Sequence, residues 1–171
     1  ARFQLGAGAD TVTMSGNITS GASLGTFVFS SLSESNLSAM DKYDMGDTNA
    51  SGSGDAIFDF SNNASAAGAV GSTSASILFG STINKATIAS NKVILSGSLD
   101  VSSVTAVAST VDTLTVSAGA GTTVLFTDKG GNDYLFMQGG TAGTADDAIV
   151  LFAGVSAKSI AASSAVTVTF S

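Results

Sequence analysis

The side chains of this chain with the most chemistry to offer are aspartates set among glycines and asparagines. Gly6, Gly8 and Asp10 fall in LGAGAD; Asp44, Asp47, Asn49 and Asp55 fall in DKYDMGDTNASGSGD, with Asp41 at its head; Asp128, Gly131 and Asp133 fall in DKGGND. A carboxylate is a hard oxygen ligand, and glycine lets a turn close tightly enough for backbone carbonyls to join it. This is the chemistry of a hard divalent cation, calcium above all. These ten residues, Gly6, Gly8, Asp10, Asp44, Asp47, Asn49, Asp55, Asp128, Gly131 and Asp133, are the candidate metal ligands. The same pattern also serves as plain turns and solvated acidic loops, and no EF-hand spacing is present.

Other chemistries lack their tools. There is no His and no Cys, so the commonest general base and the strongest nucleophile are missing, as are imidazole and thiolate ligands for transition metals. A Ser–Lys pair needs a desolvated lysine, whereas Lys42, Lys85, Lys92, Lys129 and Lys158 mostly sit in polar, turn-like surroundings. With no Trp and only Tyr43 and Tyr134, the aromatic platforms of a glycosidase are thin. Adjacent Asp146 and Asp147 point to opposite faces if their segment is a strand, and read as solvated turn residues. We therefore expect no enzyme. The net charge of −7, with Glu34 the only glutamate, argues against nucleic acid and anionic membranes as partners.

The elements that must position these aspartates are strands. Apolar or alternating β-rich runs occur at DTVTM (10–14), TFVF (26–29), AIFDF (56–60), SILF (76–79), KVIL (92–95), DTLTV (112–116), TTVLF (122–126), YLFM (134–137), IVLF (149–152) and VTVTF (166–170). Gly, Ser, Asn and Asp punctuate the gaps. The pattern predicts an all-β fold, a β-roll or β-solenoid or else a β-sandwich, with many short strands. Little helix is expected: a short one over Leu32–Met40 capped by Ser31 or Ser33, and one turn over Ser156–Ala162. Residues 1–171 read as a single β-rich domain with sub-regions 1–63, 64–126 and 127–171, the middle one a β-ladder. The longest apolar run, AIVLFAGV (148–155), suits a buried strand and is too short for a membrane-spanning helix.

Leu5–Thr13 (LGAGADTVT) fits the nine-residue unit G-G-x-G-x-D-x-U-x, with Leu5 at the first glycine, and DKGGNDYLF (128–136) fits its second half. TFVFSSLSES, GDAIFDF and the closing NDYLFMQGG to VTVTF carry further likeness. Together these segments resemble RTX-type and S-layer-like bacterial proteins exported by type I secretion, over roughly the first third and last quarter of the chain by a coarse motif reading. The resemblance implies calcium between stacked turns, secretion to the cell surface and no catalysis. On that basis we expect a non-enzymatic structural module of a surface assembly, folding and self-associating with calcium into a lattice or fibre. The alternative is a calcium-dependent adhesin, reading a cell-surface glycan, or the targeting domain of a secreted hydrolase.

Overall fold

The computed structural model describes residues 1–14, 21–44, 54–60, 73–79, 82–89, 92–96, 104–127, 132–153, 157–162 and 165–170. Its strands are β1 (Arg2–Gln4), β2 (Thr11–Thr13), β3 (Ala22–Val28), β4 (Asp41–Asp44), β5 (Gly54–Asp59), β6 (Thr73–Phe79), β7 (Thr82–Ala89), β8 (Lys92–Ser96), β9 (Thr123–Thr127), β10 (Asp133–Met137), β11 (Ala148–Ala153), β12 (Ala157–Ala162) and β13 (Val166–Phe170). One helix, α1 (Val104–Thr115), interrupts them. The strands form two mixed sheets, β1-β3-β5-β13-β12 and β2-β4-β11-β10-β9-β8-β7-β6. The result is mostly β and compatible with a sandwich. It is not a solenoid.

Strands β1 to β5 alternate between the two sheets, and their pairings within each sheet are parallel. Parallel register sets like rungs beside one another. In the first sheet Phe3, Phe27 and Phe58 are register partners, with ring centroids 5.2 and 5.3 Å apart along the stack. Facing them, Val12, Tyr43 and Phe152 align across β2, β4 and β11. Tyr43 meets Phe27 edge-on at 4.4 Å and Phe58 at 5.1 Å, so the two ladders interlock between the sheets.

Strands β9 to β11 of the second sheet are covered on both faces. Leu125, Leu135, Met137, Val150 and Phe152 point into the inter-sheet core. Val124, Phe126, Tyr134, Phe136 and Ile149 point the other way, onto Ala108 and Val111 of α1. Every residue of β10 is buried as a result, which is why its sequence runs apolar without alternation.

Four expectations need correction. The DTLTV run (112–116) is not a strand: Asp112–Thr115 close α1, and Val116 begins a 3₁₀ turn. Its alternation is local, whereas Val104, Ala108, Val111 and Thr115 repeat at helical spacing and all turn toward the sheet. The Thr115 hydroxyl bonds back to the Val111 carbonyl at 2.8 Å, so this residue type fits the helix. Middle segment 64–126 is accordingly not a continuous β-ladder; its antiparallel pairs are β6–β7 and β7–β8. The turn expected at Ser156–Ala162 is strand β12, paired antiparallel with β13. An irregularity between Ala157 and Ser159 shifts the phase, so Ala157 and Ile160 both reach the core at a spacing that imitates a helix. The helix expected over Leu32–Met40 shrinks to a 3₁₀ turn, Leu32–Glu34, capped by Ser31 as foreseen.

Phe58 and Ile57 are neighbours on β5 with opposite fates, 0% and 36% exposed. Phe58→Ala should destabilise the chain by about 3–5 kcal/mol, since it empties the junction of both aromatic ladders. Ile57→Ala should cost under about 1 kcal/mol. Urea denaturation of the two variants checks this, and equal losses would mean that the β5 register is wrong.

Candidate cation site

The turn from β1 to β2 carries Gly6 and Gly8 at φ +89° and +129°, a region that L side chains rarely adopt. The expected glycine corner is present, and it delivers Asp10 to the head of β2. There Asp10 lies beside Asp41, the first residue of β4. The Lys42 amide donates to the Asp10 carbonyl at 2.8 Å, and the Asp10 amide donates to Asp41 Oδ1 at 3.0 Å. The pair sits one inward rung below Val12 and Tyr43, because side chains two apart share a strand face.

The wall beside this pair is the turn from β3 to β4. Ser31 caps the 3₁₀ turn by accepting from the Ser33 amide at 3.2 Å, and Glu34 Oε2 reaches back to accept from the Ser30 amide at 3.0 Å. Ser35, fully buried, ties the turn down. Its hydroxyl accepts from the Asp41 amide at 2.9 Å and donates to the Ile149 carbonyl, while its own carbonyl accepts from the Ile149 amide at 2.9 Å.

The electrostatics are unfavourable as they stand. Asp41 is 0% exposed. Asp41 Oδ2, Asp10 Oδ2 and Tyr43 Oη are buried without a hydrogen-bond partner. Burial raises the Asp41 carboxyl from 3.8 to about 6; the charges of Asp10 and Glu34 add to the rise, against the opposing Asp10 amide. Burial likewise pushes the Tyr43 hydroxyl well above its ordinary value, with Asp41 and then Asp10 contributing. Like charges on neighbouring strands repel, and burial compounds the cost by removing the water that would screen them. Either protons or a cation must relieve them.

The other expected ligands lie apart. Asp44 ends β4 in an ion pair with Lys42 at 3.3 Å. Asp55 is exposed on β5 in the other sheet and accepts from Thr169 Oγ1 at 2.8 Å. Asp133, 3% exposed, accepts from the Ala157 amide at 2.8 Å and so fastens β10 to β12. Asp47, Asn49, Asp128 and Gly131 lie outside the described residues. Among the described residues no three acidic side chains converge as a ready-made cage. What the geometry assembles is Asp10 with Asp41, and Tyr43 on the next rung; Gly6 and Gly8 turn the chain ahead of them. Tyr43 had a detectable signal: DKY in β4 repeats the spacing of Asp10, Thr11 and Val12, acid then apolar two residues later.

A second acidic group bears out the turn expected at Asp146 and Asp147 but overturns the reading of Asp147 as solvated. Both lie in the turn before β11, and Asp147 is 0% exposed. Burial raises the Asp147 carboxyl from 3.8 to about 7, the Gly139 amide opposing and the charges of Asp112 and Asp146 adding.

Both raised carboxyls make the folded chain hold protons that the unfolded chain has released. Between about pH 4 and 7 the native state therefore binds more protons, and stability falls as pH rises through 6 and 7. Thermal melts in chelator should show Tm dropping across that window. Asp41→Asn and Asp147→Asn should each flatten part of the slope. A Tm that climbs from pH 4 to 7 would contradict the assignment.

Comparison with protein-family models, with curated proteins and with solved structures finds no match, so the site is known by its geometry alone.

Proposed function

We propose that this chain is a non-enzymatic structural module of an exported bacterial surface assembly, S-layer-like in kind, whose folding is completed by calcium. The observation that carries the reading is Asp10 stacked on buried Asp41 with an orphan oxygen on each. Such a pair is a liability without a cation and a ligand set with one, the missing oxygens coming from backbone carbonyls and water. In a cell interior poor in calcium, repulsion between the stacked carboxylates would hold the first turns open. Outside, calcium would close them, adding stability by mass action because the unfolded chain offers no such pair.

Further support comes from the parallel pairing of β1 to β5, which lays successive turns beside one another as the stacked turns of the RTX resemblance require. The lack of His and Cys supports the non-enzymatic part. The outer edges of β1 and β2 end their sheets and carry only Arg2 as a charge, so they suit strand pairing between copies.

Calcium titration followed by circular dichroism and calorimetry tests the folding half. At a calcium concentration 100-fold above Kd the gain is about 2.7 kcal/mol. The Asp10→Asn/Asp41→Asn double variant should lose most of it. Terbium emission sensitised by tyrosine should appear in the native chain and fade in Tyr43→Phe. Electron microscopy with calcium and with chelator tests assembly. Identical melts and identical particles in both conditions would refute the proposal.

A further inference from the structure

We propose that the end of the molecule where β1 and β2 form the sheet edges is a two-fold interface with a second copy of this chain. Each edge strand pairs antiparallel with its own counterpart, so the contact closes at two copies. The inference rests on the strand pairing between copies proposed above, and not on calcium.

The sheets end in β1 and β12, and in β2 and β6. The far edges have company, since β12 lies against β9 and β6 against α1. At the near end the backbone shows what each edge can take. Alternate residues of an edge strand bond to the neighbouring strand, and those between turn their amides and carbonyls outward. The Ala1 carbonyl accepts from the Thr26 amide at 2.8 Å, so Arg2 and Gln4 are the outward residues of β1. On β2 the Asp10 carbonyl accepts from the Lys42 amide and the Met14 amide donates to the Asp44 carbonyl, both at 2.8 Å. Thr11 and Thr13 are therefore the outward residues there.

Both edges are complementary to themselves. Antiparallel pairing centred on Phe3 sets Arg2 opposite the partner's Gln4, and such a pair exchanges both backbone bonds. Pairing centred on Val12 does the same for Thr11 and the partner's Thr13, whose hydroxyls suit one another across strands. One axis serves both edges. Phe3 is the register partner of Phe27 and Val12 of Tyr43, and the Phe27 and Tyr43 rings meet at 4.4 Å. Phe3 and Val12 thus face each other between the sheets, and a two-fold axis perpendicular to the sheets runs through the two.

Side chains favour the same arrangement. The Phe3 ring is held on its inner side by Phe27 at 5.2 Å and by Gly25, where a Cβ would lie 3.1 Å from it. Phe3 and Val12 are only half-buried, as the last apolar rungs of their sheets, and a second copy continues both ladders. Arg2 is the one charged residue of β1 and β2. Opposite Gln4 it avoids the like-charge contact that an Arg2-on-Arg2 register makes. The antiparallel sense also keeps the two Asp10 residues four positions apart, about 13 Å along the strands, so no third acid joins Asp10 and Asp41. The contact is small, and interfaces below about 1,200 Å² are the weak ones, so association belongs at micromolar concentration or above.

Sedimentation velocity of the whole chain over a concentration series, in chelator and in calcium, tests the interface. In chelator the mass should rise from one copy to two and stop. Gln4→Glu sets a carboxylate opposite Arg2 at both symmetry-related places and should tighten the dimer about 2- to 30-fold; Gln4→Lys should loosen it similarly. The chain has no cysteine, so Val12→Cys under a mild oxidant should give a covalent dimer, as that residue meets its own counterpart on the axis. Thr11→Cys, which faces the partner's Thr13, should not. Circular dichroism checks the fold of each variant, and the exposed Gln4 position serves if Val12→Cys does not fold. A chain that stays monomeric to millimolar concentration would overturn the proposal, because something other than a second copy then covers this end. Growth beyond two copies in chelator, or a dimer indifferent to both Gln4 changes, would overturn it as well. Dimers in both conditions without larger particles would uphold it while refuting calcium-driven assembly. Larger particles in calcium built from a chain monomeric in chelator would do the reverse.

Discussion

Parallel pairing of β1 with β3, of β3 with β5, and of β2 with β4 and β11 is the constraint on which the rest of the structure depends; the one irregularity, between Ser23 and Gly25 on β3, precedes the aromatic rungs. Parallel pairing without slippage puts equivalent positions of successive turns side by side. Where those positions are aromatic the result is cohesion: Phe3 on Phe27 on Phe58, and Tyr43 wedged against Phe27 and Phe58 from the facing sheet. Where they are acidic the same register forces Asp10 against Asp41. The core and the site are thus one ladder read at neighbouring rungs. A shift of one residue that relieved the acids would also turn the rings out of the core.

Sheet coverage follows a different logic in the second half of the chain. β9, β10 and β11 bury both faces, one against the aromatic ladders and one against α1. A helix seated on a sheet needs its polar end accommodated, and here Asp112 does this through Gln138 and the Gly143 amide. The loop that receives it gathers Asp146 and Asp147 at the same point. Acidic corners therefore arise twice, by unrelated means: by register at Asp10 and Asp41, and by helix docking at Asp112, Asp146 and Asp147. Both leave buried carboxylate oxygens unmatched, which is the feature that a chain almost without basic residues cannot repair from within.

The strand content was legible from the residues. TFVF, AIFDF, TTVLF, YLFM, IVLF and VTVTF mark β3, β5, β9, β10, β11 and β13, because β-branched and aromatic residues at strand spacing need a pleated surface to bury against. The glycine corner at Gly6 and Gly8 was legible for a local reason too, positive φ being a matter of one residue's sterics. α1 was obscured since its Val and Thr favour strands and only contact with Val124, Phe126 and Phe136 selects the helix. β12 was obscured by its bulge.

By itself, then, the sequence determined what depends on neighbours along the chain: short strands, glycine turns, the Ser31 cap, and the absence of imidazole and thiol chemistry. Tertiary structure alone decided which aspartates matter. Asp44 and Asp55 are paired off on sheet surfaces and Asp133 is spent on the Ala157 amide, whereas Asp41 and Asp147 are buried with an oxygen to spare. Nothing local distinguishes them. Burial and the fate of each carboxylate oxygen are set by segments far away in the chain, such as Asp10 against Asp41 and Gly139 against Asp147, and those meet only once the sheets are in register.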